Sequence, residues 1–166
     1  MAIPNSDYDR ALPGKRVAAG VLFFDDQDRV MLVDPIDKDP WEIPGGAVEA
    51  DESPRAGAHR EIKEELGLDL QSGRLLAVDW TPPRPDRSEG VVFIYDGGHL
   101  TAEQLATIQL QPDELRRYEF MPLHNTADRL IPLRASRVHH CAHARTQHAT
   151  LWKTAYPPLQ PQEWIG

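Results

Sequence analysis

With a single cysteine, Cys141, this 166-residue chain can build neither an intramolecular disulfide framework nor a cysteine zinc cluster. Long hydrophobic runs are missing too. The longest, Val17 to Phe24, is far too short to cross a bilayer. Basic residues are outnumbered, with 18 Lys and Arg against 26 Asp and Glu and a formal net charge of −8. Gripping a phosphate backbone non-specifically needs a basic face, so polymeric nucleic acid is disfavoured as the main partner. A polyanionic substrate would have to bring, or find, metal cations. The first ten residues, Met1 to Arg10, lack a basic-then-apolar signal pattern. Together these absences predict a soluble, cytoplasmic protein without a membrane partner. What is present is 40% apolar residues, enough at this length to bury one core.

Along the chain, residues 1–15 read as a polar, proline-bearing lead-in. Arg16 to Phe24 is a nearly continuous apolar run of strand length, as expected of a strand covered on both faces. Asp25-Asp-Gln-Asp28 supplies turn chemistry, and Arg29 to Val33 reads as the returning strand of a hairpin. Asp34 to Pro40 reads as a loop, and Trp41-Glu-Ile43 as a short extended piece ended by Pro44-Gly-Gly46. Ser53 can cap a helix that has Pro54 at its first position and Gly67 just past its end. Further strands are expected over Leu75–Trp80, Gly90–Tyr95, Leu105–Leu110 and Tyr118–Leu123. Helix is expected from Thr126, interrupted near Pro132 and resumed from about Ala135 to Thr154. No internal repeat or linker marks a second domain, so residues 16–154 form one domain and 155–166 an irregular tail.

The helix after Ser53 carries the chemistry. At about 100° per residue, Glu61, Glu64 and Glu65 share one face while Ala58, Ile62 and Leu66 share another, turned to a core. Like charges at i, i+3 and i+4 repel and destabilise an isolated helix, so something must offset them. An all-oxygen cluster suits Mg²⁺ or Mn²⁺, hard cations that share their remaining positions with phosphates. A solvated acidic face is the bland alternative. Two neighbours speak against it. Arg60 can pair with Glu64 or fold back to Glu52, and the Pro44-Gly45-Gly46 turn can bring backbone carbonyls alongside.

The segment Gly46, five residues, Glu52, seven residues, then Arg60-Glu61-Ile62-x-Glu64-Glu65-x-Gly67-Leu68 resembles the Nudix box at nine defined positions over 23 residues. Trp41-Glu-Ile-Pro-Gly-Gly46 is similar to the usual entry into that box. The order of elements resembles the Nudix α/β/α sandwich, a single α/β domain with a mixed sheet. The resemblance implies a MutT-like, Mg²⁺-dependent pyrophosphohydrolase acting on a nucleoside diphosphate linked to another moiety, such as an NTP, an oxidised dNTP or ADP-ribose. It assigns Glu61, Glu64 and Glu65 to the metals, with the Gly45 carbonyl as an added ligand. Arg60 would orient a glutamate, while Glu52 and Gly46 support the arrangement. The general base is Glu114 by its position before the strand near Tyr118, with Glu119 second, or a box glutamate such as Glu64.

Substrate choice lies outside the box. Pro83 falls 15 residues beyond Leu68, the spacing of a proline in many ADP-ribose hydrolases, but Gly45-Gly46 departs from their usual Ala-Gly. Where MutT-like members read a purine with asparagine, the alignment places Leu133, with Asn125 out of register. Trp41, Trp80 and Phe93 could stack on a base or simply pack. Arg84 and Arg87 are expected phosphate or ribose contacts, or else solvated loop charges. His139 and His143 stand at a zinc-compatible i, i+4 spacing beside His140 and Cys141, without the supporting glutamate of a zinc helix. Trp152 and Trp164 suggest that the tail docks on the body or across a homodimer. Two rivals from other classes are a Nudix-fold ligand sensor, which would carry a damaged box, and an isomerase, which would need a reactive cysteine at the metal site.

Overall fold

The structure, a computed structural model, describes residues 7–154. Its elements are α1 (Asp7–Ala11), β1 (Arg16–Phe24), β2 (Val30–Pro35), β3 (Gly45–Ala47), α2 (Pro54–Leu66), β4 (Leu75–Thr81), β5 (Gly90–His99), α3 (Ala102–Ala106), β6 (Leu115–Met121), a 3₁₀ turn (Leu123–Asp128), α4 (Pro132–Thr146) and β7 (Leu151–Thr154). The strands form one mixed sheet in the order β6-β2-β1-β5-β4-β7, with β3 also on β1. β1 runs parallel to β5, and β4 parallel to β7, while the other pairs are antiparallel.

Alternation along β1 explains its unbroken apolar run. Ala19, Val21 and Phe23 pack with Ala58, Ile62 and Leu66 of α2. Leu22 and Phe24 point the other way, toward Val138 and Cys141 of α4. The sheet is thus covered on both faces, as the sequence predicts, and the α2 stripe is fully buried. Both ends of α2 also follow the sequence. Ser53 Oγ accepts the Ala56 N–H at 3.2 Å, and Gly67 closes the helix at φ 68°, a left-handed geometry that favours glycine. No helix among the described residues is long and apolar enough to cross a membrane.

Several expected elements differ. Leu105–Leu110 is not a strand: Thr101 and Gln104 form a reciprocal capping box that starts α3 instead. Pro132 does not interrupt the last helix but begins it, because the first helical position needs no N–H. That helix ends at Thr146, and residues 151–154 extend as β7 beside β4. Pro44-Gly-Gly46 is not merely a terminator, since Gly45–Ala47 pairs with Gly20–Ala18 as β3. The lead-in contains the single turn α1. The expectation for Trp164 lies outside the described residues, as does the tail from residue 155.

β1 divides one edge between two partners: β3 takes Ala18–Gly20, and β2 meets it at Phe24. This split lets a short glycine-rich strand lie directly beside α2, where the carboxylates are.

Candidate active site

Three glutamates leave α2 on one side but differ in depth. Glu65 is buried, Glu61 is 15% exposed at its side chain, and Glu64 is 51% exposed. Glu65 Oε2 accepts the Gly45 N–H at 2.8 Å, which ties the helix to β3. Burial, only partly offset by that bond, pushes the Glu65 carboxyl up to about 8, and the charges of Glu61, Glu42 and Glu114 add to the effect. Glu61 is also raised, first by burial and then by Glu64 and Glu114, against the opposing pull of Arg60.

Arg60 pairs in both directions expected of it. Its guanidinium reaches Glu52 Oε1 at 2.8 Å, Glu64 Oε2 at 2.9 Å and Glu61 Oε1 at 3.0 Å, and donates to the Ala47 carbonyl at 2.9 Å. Glu52 is held below its ordinary value by this arginine and by the Glu49 N–H. Here the structure departs from the expected metal-ready cluster. Among the described residues no three His, Cys, Asp or Glu side chains stand together as a cation cage. Arg60 supplies the positive charge that Glu61 and Glu64 share. The donor chemistry nevertheless fits a hard divalent ion: the available side-chain donors are all oxygens, and two of the carboxyls are raised chiefly by burial, with neighbouring carboxylates adding to the effect.

Gly46 makes room for this arrangement. A Cβ there would stand 2.4 Å from the Glu61 carboxylate, so only glycine lets β3 lie against it. Gly46→Ala is expected to keep the fold, because the obstructing group is the end of a flexible side chain. It should lower kcat about 100-fold by swinging Glu61 aside. Parallel melting curves and turnover measurements check this, and equal turnover would show that Glu61 needs no fixed place.

Glu114 joins the site. It lines a depression of about 390 Å³ with Glu61, Glu65, Glu42 and Lys38. Glu119 does not line it; it sits on β6 within 4.0 Å of both Arg117 and Arg129. Across β3 opens a larger cavity of about 880 Å³. Arg84, Arg87, Phe93 and Leu133 line it, so the two expected arginines and one of the three aromatics border this cavity. Trp41 does not. It is core, 5% exposed, with Arg117 and Arg129 stacked over its ring at 5.2 and 5.1 Å. Trp80 lines neither depression and donates its indole N–H to Glu89. Pro83 and Asn125 also lie outside both depressions. His139 meets Thr126, and His140 meets Ser136, in local contacts. Cys141 is buried on the α4 face, opposite α2, which removes the isomerase reading.

Some lining residues carry no local motif. Glu42, between Lys38 at 2.6 Å and Arg134 at 3.1 Å, borders both depressions. Arg137 lines the cavity while its Nε holds the fully buried Asp79 at 2.6 Å. An i, i+3 arginine pair at the start of a terminal helix was the only available signal.

The site is thus a box of glutamates on the first long helix, with a cation-lined cavity beside it, set on a mixed sheet between two helical layers. The family model of the NUDIX domain matches residues 14–141, and the chain belongs to this family. It is 38% identical over 82 residues to diphosphoinositol polyphosphate phosphohydrolase 2 of Rattus norvegicus, covering 49% of this chain and 46% of that one. It is 32% identical over 104 residues to a MutT-like protein of Streptomyces ambofaciens, covering 58% and 64%. The chain therefore aligns with roughly half of these relatives' length. Among solved structures, the MutT protein of Methanosarcina mazei Go1 superposes with a TM-score of 0.65 at 19% identity, covering 83% of this chain and 99% of that one.

Proposed function

We propose that this chain hydrolyses a phosphoanhydride in a small nucleotide-type or similarly phosphorylated molecule, using Mg²⁺ or Mn²⁺ held by Glu61, Glu64, Glu65 and the Gly45 backbone. The observation that carries this reading is the meeting of two depressions along Gly45–Ala47, one acidic and one lined by cations and apolar side chains. When bound, the metal would supply an activated water and neutralise charge on the bridging oxygen. The chain's own residues do the rest. Arg60 and Glu52 fix the α2 carboxylates relative to β3, and the Gly45 N–H fixes Glu65. Glu114, which lines the same depression as Glu61 and Glu65, would take a proton from the attacking water. The 880 Å³ cavity is of the size that holds a nucleotide-like ligand, with Phe93 and Leu133 available for its planar or apolar part. The names of the relatives, one for diphosphoinositol polyphosphates and one MutT-like, support a phosphoanhydride substrate. The cytoplasm, as expected from the sequence, is where we place it.

A panel of nucleoside triphosphates, nucleotide sugars, dinucleotides and diphosphoinositol phosphates, with Mg²⁺, Mn²⁺ or EDTA, tests the reading. Metal-dependent release of phosphate or monophosphate products is expected. Glu114→Gln should lower kcat 100-fold or more, in the ordinary range for a general base, with little change in KM. Saturable binding with no turnover for any compound would favour the ligand-sensor alternative.

A further inference from the structure

One end of the large cavity is crowded with positive charge in a chain that is acidic overall. Lys15, Arg16, Arg84 and Arg87 all line it. Among the described residues two carboxylates pair with them: Glu89 with Lys15, and the exposed Asp86, 4.0 Å from Arg84. Arg16 is engaged by the Ser88 carbonyl, through Nε at 3.0 Å and Nη2 at 2.6 Å. Arg87 has no ion-pair partner among the described residues. Arg16 is held below its ordinary value by desolvation and then by the charges of Arg87 and Arg84, with Asp86 opposing. The crowding is built into the backbone. Arg84 and Arg87 exchange reciprocal N–H to carbonyl bonds of 2.8 and 3.0 Å around Pro85-Asp86, and Arg16 is in register with Gly90 just beyond.

This end is separated from the carboxylates. Gly45 lies opposite Gly20, and Arg16 is four residues further along β1, about 13 Å at strand rise. Of the other acids on the cavity wall, Glu42 and Glu52 belong to the carboxylate side, and Glu52 is already committed to Arg60. Glu49 comes nearer, since the preceding Val48 N–H bonds the Val17 carbonyl, but among the described residues it pairs with none of the four cations. Like charges gathered without matching carboxylates are stabilised by a bound anion.

We propose that Lys15, Arg16, Arg84 and Arg87 form a second anion subsite, and that the substrate carries a separate phosphate group there, distinct from the phosphoanhydride that is cut. The proposal rests on the hydrolase reading for the cut bond, but the anion subsite stands on its own geometry.

Inorganic phosphate titrated into the metal-free protein in EDTA, followed through arginine Nε–H resonances and the Gly90 amide by NMR, tests the subsite. Saturable shifts at Arg16, Arg84, Arg87 and Gly90 are expected, and their loss in the Arg84→Ala/Arg87→Ala double variant. No shift there, or shifts that survive in the variant, overturns the subsite. Pairs of compounds differing by one phosphate, coenzyme A against its dephospho form and NADPH against NADH, test the substrate class through kcat/KM and, in EDTA, through affinity by calorimetry. The added phosphate should give an advantage of tenfold or more in at least one pair, erased in the double variant. No advantage, or one that persists in the variant, overturns the substrate assignment. If no compound is hydrolysed, the hydrolase reading fails, while the phosphate and affinity measurements still decide the subsite.

Discussion

Glu64→Gln and Glu65→Gln are each expected to lower kcat by 100-fold or more while leaving the protein folded. Both changes keep side-chain length and volume and remove only the negative charge. In Glu65→Gln the amide oxygen can still accept the Gly45 N–H that joins α2 to β3, so the helix stays seated. Glu64 is half exposed and, among the described residues, makes a single ion pair, to Arg60, whose guanidinium retains Glu52 and Glu61 as partners. An exposed pair of this sort contributes little to stability. What disappears is charge aimed at a cation and, through it, at the developing charge of the reaction, where one well-placed group is worth about 100- to 1,000-fold. Turnover at saturating metal, read beside melting temperature in EDTA, separates the two effects. Wild-type turnover in both variants would refute the site.

Arg60→Ala should show the opposite balance between stability and metal response. The native guanidinium neutralises Glu52, Glu61 and Glu64 together and holds the Ala47 carbonyl. Without it three carboxylates face one another, and the melting temperature in EDTA should fall by about 3–6 °C. Divalent cation should then raise the melting temperature more in the variant than in the wild type, because ions no longer compete with a resident side chain. Turnover should still drop about 10- to 100-fold, as when a partner that orients metal ligands is lost. Calorimetry with and without Mg²⁺ checks the stability part. A variant that melts like the wild type in EDTA and gains nothing extra from Mg²⁺ would show that Arg60 is only a surface charge.

Which parts of this were legible in the sequence follows from the range of the interactions. α2 was readable to its ends because each signal is local: the Ser53 cap, Pro54, the Ala58–Ile62–Leu66 stripe and Gly67. β1 was readable because burial on both faces leaves an unbroken apolar run. Leu105–Leu110 misled because a capping box four residues earlier outweighs the strand-like composition, and the stretch past Thr146 misled because β7 exists only through pairing with β4. In the site, the three glutamates and Arg60 come from one helix and were found together. Glu42 and Glu114 come from separate connecting segments and Arg134 and Arg137 from α4, and only the folded chain shows which of them line the same depressions. Trp41 admits a stacking role but favours packing, and only the structure places it in the core, since an aromatic in sequence does not declare its burial.

β3, only three residues long, is the common wall of the acidic depression and the cavity. Side chains and amides on a strand alternate with a period of two, so one residue inserted between Ile43 and Val48 would swap what each compartment meets. It would turn the Gly45 amide away from Glu65 and bring a neighbouring side chain up against Glu61. The chain must therefore be counted to the residue here, as the teeth of a gear are.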